Sequence, residues 1–597
     1  MLSKMTLFSK VVIALVVVGG FYGGFRVANN AGLIPAVGIL KAMIPQKASL
    51  PDVQDAKVSN VAAASLPQST TASVQAPLIR GAIWEWNAQA GIIYANGGAR
   101  TTKGSLMEKN GVNLLLYRQD DSNKMQEELI ACAKEIHDGE KQCSTGANFA
   151  IIMGDGAGQF AAGINPQLKK LGNQYTVSVI GAVGYSRGED SLLAPPEVKT
   201  NPKALLGKLV EGVLRDGDWN IALKYEGDNN LKNNPDEKTY DEDAVNWVNA
   251  PDYNVAAADY VAGKCEDRKV IKDGHLTGET KHVCVEAVVT WTPGDVTAVQ
   301  KRGGVVKIVS SKEYRSQMPA VIIGPKAFFE ANRQEITGLL SAAFEGGDQV
   351  KTYDQVLRKA SEISAKLYND QDGAYWYKYF KGVNETDHQG NHVELGGSAV
   401  NNLGDNLILF GLMPGTNDNF RSTYTTFANI VMQQYGALFK DTPIPDVKEI
   451  EDKSYITAAQ AAMSDPGAAP ETPTYTESAN VVSKRSYSIN FDTGKATLTP
   501  SGVRQLVELK DSLAITGLFV RVDGYTDNTG DERRTNLPLS RARAKAVKAF
   551  LQKAAPENFP ESRFAVSGHG SEEPVQSNDT SVGRAANRRV SITLSGG

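Results

Sequence analysis

At 597 residues the chain is too long for one hydrophobic core, which predicts two to four domains. Its 63 Lys and Arg residues against 67 Asp and Glu residues give a formal net charge of −4. Because the neutralisation of phosphates needs a basic surplus, this balance argues against nucleic acid as a partner.

The first residues combine two lysines with a long apolar run. Lys4 and Lys10 precede a run that reaches Ala28, with the Arg26 side chain able to extend to the membrane surface. A membrane-spanning helix needs about 17 to 25 residues, and no small-residue cleavage site follows the run. Residues 1–30 are therefore predicted to be an uncleaved N-terminal transmembrane helix, with a cleaved signal peptide as the alternative. Either segment exports the rest of the chain. The expected location is a bacterial inner membrane, crossed once, with the bulk of the chain in the periplasm.

Two tracts with few aromatic residues divide the exported part. Residues 31–78 and 446–483 are rich in Ala, Ser, Pro and Thr and are predicted to be linkers. They separate a large body at 79–445 from a C-terminal domain at 484–597.

The body alternates short apolar runs with helical patterns. GVNLLLYR at 111–118 and NFAIIMG at 148–154 are typical of buried strands, whereas Met125, Leu129 and Cys132 recur at helical spacing. This alternation predicts an α/β fold with parallel sheets. Ligands of such sheets bind beyond the strand ends, at glycine-rich turns and helix N-termini.

The four cysteines fall into two pairs that are close in sequence. They are Cys132, Cys143, Cys265 and Cys284. No C-x-x-C spacing occurs and no histidine stands at zinc-ligand spacing beside them, so no metal site is expected. Export favours two local disulfides, whereas a cytosolic chain would hold four free thiols.

A possible nucleophile needs separate consideration. Gly184 to Gly188 fits the G-x-S-x-G pattern of serine hydrolases, with Ser186 at its centre. No helix is predicted directly after Ser186, and none of the six histidines stands in a catalytic context. Ser186 is expected to be a ligand donor or a turn residue. The chain is not expected to be an enzyme or to need a cofactor.

Three segments of the body resemble type 2 periplasmic solute-binding proteins of the nitrate/taurine-like and phosphate-like groups. They are GIIYANGGARTTKGSLMEKNGVNLLLYRQDD, GEDSLLAPPEVKTNPKALLGKLV and PAVIIGPKAFFEANRQEITGLLSAAFEG. The resemblance implies a two-lobed α/β body with crossing hinge strands, a second lobe at about 180–315, and a small solute between the lobes. The implied ligand contacts are Asn96, Gly97, Gly98, Asp155, Gly156, Ala157, Ser186 and Arg187. With phosphate or another oxyanion, Arg187 would supply charge-assisted bonds and Asp155 would accept a ligand proton.

The C-terminal domain shows alternating strand and helix patterns. RSYSINFDTGKATLTPSG predicts a strand, a turn and a helix that begins at Thr499 and Pro500. Val503, Leu506, Val507 and Leu513 are expected along one side of that helix. GLFVRVDGYTD predicts the next strand and LSRARAKAVKAFLQK the next helix, which gives an α+β domain.

Linked motifs of this domain resemble the peptidoglycan-binding domain of the OmpA family. They are FDTGKATLTPSG, VDGYTDNTG, LSRARAKAV, GHGSEEPV and GRAANRRVSI, and one extra residue precedes the LSRARA helix. The resemblance implies that Asp527 binds the ammonium and Arg543 the carboxylate of diaminopimelate in the stem peptide. It further implies a supporting role for Asn536 and a basic wall made by Asn587, Arg588 and Arg589.

Together these features predict a membrane-anchored envelope protein that binds peptidoglycan through its C-terminal domain and a small solute in its body. The first alternative is a structural scaffold whose solute-binding fold serves as a protein-interaction surface. That role would give the chain an inner-membrane protein complex as a further partner. The second alternative is a serine hydrolase that uses Ser186.

Overall fold

A computed structural model describes residues 61–140, 142–464, 467–487, 489, 491 and 494–596. The segment predicted to be a membrane anchor lies outside these residues. Among the residues described, no helix is both long and apolar enough to cross a membrane.

Strands and helices alternate along the body, as the sequence predicts. The strands are β1 (Leu78–Ile83), β2 (Asn113–Arg118), β3 (Phe149–Met153), β4 (Val177–Ser186), β5 (Ser191–Ala194), β6 (Leu209–Gly212), β7 (Asn233–Asn234), β8 (Thr239–Asp241), β9 (Val245–Asn249), β10 (Cys265–Lys272), β11 (His275–Thr290), β12 (Val306–Ser310), β13 (Pro319–Pro325), β14 (Val383–Thr386), β15 (His392–Leu395) and β16 (Ser398–Val400).

The helices of the body are α1 (Ala90–Asn96), α2 (Leu106–Lys109), α3 (Ser122–His137), α4 (Ala157–Leu168), α5 (Glu197–Thr200), α6 (Gly217–Asp228), α7 (Tyr253–Ala262), α8 (Gly294–Lys301), α9 (Lys326–Ala331), α10 (Arg333–Thr352), α11 (Asp354–Tyr368), α12 (Gly373–Lys381), α13 (Leu403–Leu409), α14 (Asn419–Tyr435), α15 (Val447–Ile450) and α16 (Ser454–Ala462). Short 3-10 helices lie at Asn87–Gln89, Gly154–Gly156, Asn173–Tyr175, Pro202–Leu205 and Gly436–Phe439.

The first lobe is built on a mixed sheet. Its strand order is β16-β4-β13-β3-β1-β2. β1 runs parallel to β2 and β3, so the carboxyl ends of these three strands share one edge. β13 is antiparallel to β3 and β4, in contrast to the parallel sheet predicted, because it returns from the second lobe.

The second lobe has its own sheet, in the order β12-β5-β11-β6-β9-β7. β11 continues beyond this sheet as a hairpin with β10, in which Cys265 lies opposite Cys284. The strands of this sheet fall between Ser191 and Ser310, inside the bounds predicted for the second lobe.

Two short segments cross between the lobes. Residues 187–190 join β4 to β5, and residues 311–318 join β12 to β13. The Ser186 and Ser311 hydroxyls are hydrogen-bonded, and the Ser311 N–H donates to the Asp190 carbonyl oxygen at 3.0 Å. The two crossing segments are thereby bonded to each other, as expected for a hinge.

Both predicted disulfides are present in the structure. Cys132 is bonded to Cys143 and Cys265 to Cys284. The Asn148 Nδ2 atom lies 3.0 Å from each sulfur of the first pair.

Parts of the two predicted linkers are packed against the body. The Gln349 side chain donates to the Ala62 carbonyl oxygen and accepts from the Ala64 N–H. In the second tract, α16 buries Tyr455 and Ile456. Composition misled the prediction there, since the alanine-rich tract carries apolar side chains at helical spacing. The body therefore extends to the end of α16.

The C-terminal domain is α+β, as predicted. It contains β17 (Val481–Tyr487), α17 (Pro500–Ala514), β18 (Phe519–Gly524), a π-helical turn (Glu532–Asn536), α18 (Leu537–Ala554), a 3-10 helix (Glu561–Arg563), β19 (Phe564–Gly568), α19 (Ser581–Asn587) and β20 (Val590–Ser595). The sheet order is β17-β20-β18-β19, with β18 and β19 parallel.

This domain docks directly on the second crossing segment. The Ser316 N–H donates to the Ile515 carbonyl oxygen, and the Gly517 N–H donates to the Glu313 carbonyl oxygen, both at 2.9 Å. The connecting segment, residues 467–480, is held as well. Within it, the Glu471 carboxylate lies 3.3 Å from the Arg187 guanidinium and 2.7 Å from that of Arg315.

Candidate ligand-binding sites

The C-terminal domain contains a cavity of about 800 Å³ that combines one acidic side chain with the three arginines Arg543, Arg584 and Arg588. It lies between the loop after β18, the start of α18 and the end of α19. Its lining includes Phe491, Thr526, Asp527, Asn536, Arg543 and Arg588. The cavity therefore brings together four of the six side chains that the sequence predicted for this site.

Asp527 is held in the loop that follows β18. One of its carboxylate oxygens accepts from the Arg588 Nη1 atom at 2.6 Å, and the other accepts from the Thr529 N–H at 2.9 Å. Burial alone raises the pKa of Asp527, but the bonds from Arg588 and Thr529 outweigh it and bring the pKa below its ordinary value. Asp527 is thus an anion at neutral pH.

Arg543 projects from α18 into the same cavity. Its Nε atom donates to the Lys495 carbonyl oxygen at 3.1 Å, and its guanidinium lies 5.2 Å from the centre of the Phe491 ring. Burial and the nearby Arg588 guanidinium lower the pKa of Arg543. Because an arginine stays charged in proteins, Arg543 and Arg588 present two guanidiniums beside the Asp527 carboxylate, and the third arginine of the lining, Arg584, donates to the Asn578 carbonyl oxygen.

Asn536 stands at the end of the π-helical turn. Its Nδ2 atom lies 3.4 Å from the Glu532 carboxylate, which in turn accepts from the Ser571 hydroxyl at 2.5 Å. A π-helical turn accommodates an additional residue inside a helix. The extra residue noted before the LSRARA helix falls in the segment that contains this turn, and Asn536 lies on the cavity wall.

Asn587 and Arg589 do not form the basic wall that the sequence predicted. The Asn587 amide braces the preceding loop, accepting from the Val575 and Gln576 N–H groups. The Arg589 guanidinium stacks 3.7 Å from the centre of the Tyr525 ring. Both arginines lie between the end of α19 and the start of β20; Arg588 lines the cavity, whereas the Arg589 Nη2 atom donates to the Glu573 carbonyl oxygen at 3.0 Å.

A second candidate site lies between the two lobes and is acidic. Asp155 follows β3, Asp190 belongs to the first crossing segment, and Asp218 lies in the first turn of α6; all three are buried. Asp216, partly buried, caps α6 and accepts from the Ser122 hydroxyl of the first lobe at 2.8 Å. These four acidic residues are called the cleft carboxyls below.

The cleft carboxyls are poorly compensated. Both carboxyl oxygens of Asp218, and one of Asp155, have no hydrogen-bonding partner within the described chain. Burial raises the pKa of Asp190 to about 6. Burial, reinforced by the neighbouring Asp190, raises the pKa of Asp218 well above its ordinary value. Burying an unpaired carboxylate costs several kcal/mol, so burial disfavours the charged form of these groups unless a positive partner joins them.

Four buried aromatic side chains stand beside these acids. Trp84 and Trp86 follow β1, Tyr253 begins α7, and Trp291 follows β11. The Tyr253 and Trp291 ring centres are 3.8 Å apart, and Trp84 stacks on Trp291 across the lobes with ring centres 5.7 Å apart. The Trp84 and Tyr253 polar atoms have no hydrogen-bonding partner among the described residues. We name these four residues the aromatic cluster.

Sequence reasoning missed the aromatic cluster and three of the four cleft carboxyls. The usable signal was the WEW tripeptide directly after the first strand of the body, at an edge where α/β sheets place their ligands. Asp190 and Asp218 gave no local signal, because their proximity depends on the packing of two lobes.

The structure places some of the predicted solute contacts in the cleft and others outside it. Asp155 lies in the cleft, and Gly156 faces the Asp216 carboxylate at the entry to α4, which begins at Ala157. A cavity of about 320 Å³ opens between the lobes beside Gly156 and Asp216, and its lining also includes Ser122 and Arg215.

The Asn96–Gly98 turn is not a ligand contact in this structure. It lies at the far end of α1, where the Asn96 Nδ2 atom donates to the Gly98 carbonyl oxygen at 2.8 Å and lies 3.4 Å from that of Leu114. Leu114 is near the start of β2, at the edge of the sheet opposite the cleft.

Arg187 also faces away from the cleft acids. Its guanidinium is paired with Glu471 and donates to the Arg315 carbonyl oxygen at 2.6 Å. The Ser186 hydroxyl is bonded to Ser311 and accepts from the Asp190 N–H at 3.2 Å. The predicted oxyanion contacts of Arg187 are therefore wrong for this structure, because its charge is neutralised at the connecting segment.

The fold and sites define a protein with a two-lobed α/β body, an acidic cleft and a C-terminal domain with an acid–base cavity. Residues 490–588 match the model of the OmpA family, which confirms the resemblance predicted for this domain. Outer membrane protein Omp38 of Acinetobacter baumannii (strain ATCC 19606) is 28% identical over 283 residues, 45% of this chain and 74% of that protein.

Two further similarities concern one part of the chain each. Peptidoglycan-binding protein ArfA of Mycobacterium bovis is 40% identical over 107 residues, which cover 18% of this chain and 32% of ArfA. The periplasmic nitrate-binding protein NrtA from Synechocystis PCC 6803 aligns with 66% of this chain and 91% of its own, with a TM-score of 0.44 and 10% identity.

Proposed function

We propose that this chain is a cell-envelope protein that binds peptidoglycan through the cavity of its C-terminal domain. The observation that carries the proposal is the convergence of Asp527, Arg543 and Arg588 on one cavity. The free end of diaminopimelate carries an ammonium and a carboxylate. Asp527 would receive the ammonium, and the two guanidiniums would receive the carboxylate. The OmpA-family match and the ArfA similarity support this assignment.

Sedimentation with purified peptidoglycan tests the proposal. Asp527→Asn and Arg543→Gln are each expected to leave most of the protein in the supernatant, because each removes one half of the zwitterion's recognition. Arg541→Gln is the matched control, since Arg541 is exposed on the same helix and loses the same charge. Free diaminopimelate should compete with the wild type. Full sedimentation of both cavity variants would show that the wall is held elsewhere.

We further propose that the body binds a small solute between its lobes. Buried polar atoms of Asp155, Asp218 and Tyr253 come from both lobes and have no hydrogen-bonding partner among the residues that the structure describes. Such groups are normally satisfied in native proteins, so a bound molecule is the simplest partner for them. The acidic character of the cleft does not support phosphate or another oxyanion.

A thermal-shift panel tests for a solute, because a ligand that binds the folded state raises the melting temperature with its concentration. A melting temperature unmoved by every solute class would favour the scaffold alternative, in which the body is an interaction surface.

We also propose that the chain binds its ligands without catalysing a reaction and that it is anchored in the inner membrane. The partners of the Ser186 hydroxyl are Ser311 and the Asp190 backbone, which supports a hinge role over that of a nucleophile. Labelling by a serine-reactive probe that is lost in Ser186→Ala would contradict this. Recovery of the protein in the inner-membrane fraction after alkaline extraction is the expected result for a single-span anchor.

A further inference from the structure

We infer that the solute of the cleft is an organic cation, an ammonium group with apolar carbon substituents. The inference rests on the proposal that the cleft binds a solute, and it names the chemical class. Its basis is the combination of the cleft carboxyls with the aromatic cluster.

The charge of the cleft selects a cation. Asp155, Asp190 and Asp218 are each no more than 1% exposed and lie close enough to influence one another. The two polar side chains that reach Asp155 are the uncharged Gln317, at 2.8 Å, and Asn220, at 3.4 Å. Arg187 of the first crossing segment is paired with Glu471, and Arg215, which precedes Asp216, is paired with Glu237. A positive ligand would neutralise these acids, whereas an anion would add to their repulsion.

The aromatic cluster selects an organic cation over a metal ion. Ring faces attract ammonium groups electrostatically and pack against their carbon substituents. A hard metal ion instead requires a shell of closely spaced oxygen ligands. Among the described residues, no three of the cleft carboxyls lie close enough together to share one ion.

The cleft also offers unused hydrogen-bonding groups that point to a bound molecule. Tyr253 is 3% exposed, its hydroxyl has no partner in the described chain, and all four cleft carboxyls act on it. The buried Trp86 indole lies within hydrogen-bonding reach of the Asp190 carboxyl. A hydroxyl or similar group on the ligand would satisfy the Tyr253 hydroxyl.

The experiment compares two molecules of nearly the same shape. Choline and 3,3-dimethyl-1-butanol differ mainly in a charged nitrogen against a neutral carbon. With the full chain, choline is expected to raise the melting temperature by a few degrees at saturation, and the neutral alcohol to leave it unchanged. Tetramethylammonium and putrescine extend the series to a smaller quaternary and a primary ammonium. Sodium phosphate and calcium chloride represent oxyanions and metal ions.

Variants link the shift to the cleft. Asp190→Asn and Trp86→Leu should each weaken binding of the active cation, by about 100-fold for Asp190→Asn, because one charge of a buried pair is lost. Asp267→Asn is the control, since its carboxylate is 70% exposed on the β10–β11 hairpin. A cooperative thermal transition of each variant without ligand shows that its body is folded.

The possible outcomes separate the two proposals. A shift with calcium or phosphate that disappears in Asp190→Asn would overturn the organic-cation class and leave solute binding standing. Equal shifts with choline and its neutral analogue would overturn the charge argument. No shift with any probe would overturn both the cation inference and solute binding itself.

Discussion

The ion pair between Asp527 and Arg588 connects wall binding to acid stability. The folded-state pKa of Asp527 lies below its ordinary value of about 3.9, so the carboxylate's contribution is present above that pH. It is lost as the pH falls through the lower folded-state pKa. The contribution is small, about 0 to 1 kcal/mol, because the Arg588 side chain is 45% exposed and screened by solvent.

Asp527→Asn is therefore expected to lower the free energy of unfolding slightly at pH 7 and not at all at strongly acidic pH. Chemical denaturation of both proteins between pH 2 and pH 7 measures this difference. A gap that widens toward acid would contradict the assigned pKa direction. Wall binding should be lost at every pH, since the variant cannot pair with an ammonium.

At the level of single residues, the sequence identified those side chains whose role follows from a local motif. Asp527 and Arg543 could be placed because the loop and the helix around them fix their directions. Arg187 and Asp190 could not, since the partners that decide their roles, Glu471 and Asp218, lie far away in the chain. Packing between segments that are distant in sequence directs Arg187 away from the cleft and places Asp190, which was not predicted, within it.

Among the elements, α3 and the loop after it depend on a disulfide. Cys132 and Cys143 are separated by 11 positions, and a closed loop of that length restricts the unfolded chain by about 2–3 kcal/mol. The Cys132→Ser/Cys143→Ser double variant should show that loss in chemical denaturation under oxidising conditions. Reduction of the wild type should likewise remove the part of its free energy of unfolding that this disulfide contributes. Equal stability of the two proteins would mean that the native packing alone holds the loop.

The helical patterns in the sequence predicted the positions of the helices more accurately than they predicted which face of each helix is buried. In α17 the buried side chains include Leu506, Leu509 and Leu513, whereas Val503 and Val507 are 38% and 44% exposed. The predicted stripe was thus right for Leu506 and Leu513 and wrong for the two valines. Apolar residues on two adjoining faces leave the choice of face to tertiary contacts, which a helical period does not encode.

At the scale of the whole molecule, the connecting segment is held between the body and the C-terminal domain by the ion pairs of Glu471. Burial raises the pKa of Glu471, but Arg187 and Arg315 outweigh it and lower the pKa to about 2. The stabilisation is present above the ordinary Glu pKa of about 4.3 and is lost as the pH falls through about 2. Because the Glu471 side chain is 47% exposed, solvent screening keeps the effect modest and salt-dependent.

Glu471→Gln is expected to speed proteolytic cleavage within residues 467–480 at pH 7. The difference from the wild type should shrink in high salt and toward pH 2. Glu279→Gln, on the exposed β10–β11 hairpin, serves as the control because it should cleave like the wild type. If Glu471→Gln and Glu279→Gln are cleaved at the same rate at low salt, the ion pairs of Glu471 with Arg187 and Arg315 do not hold the segment.

The order of domains and their fold classes followed from the sequence, since strand and helix periods and the OmpA-like motifs are local. The docking of the C-terminal domain did not. Its contacts with the body, such as Ser316 with Ile515, use backbone groups that carry no residue-specific signal. The compositional pattern of a linker also gave no indication that Glu471 would be bound.

The connecting segment determines where the proposed wall-binding cavity lies relative to the body. A free coil of the length of residues 467–480 would let its ends wander over roughly 20 Å. The segment instead lies between Arg187, Arg315 and the docked domain, so the cavity keeps a constant distance from the cleft. A strand of peptidoglycan bound by Asp527 and Arg543 would therefore lie at a set distance from the hinge, because a rigid connection and not a flexible tether joins the two parts.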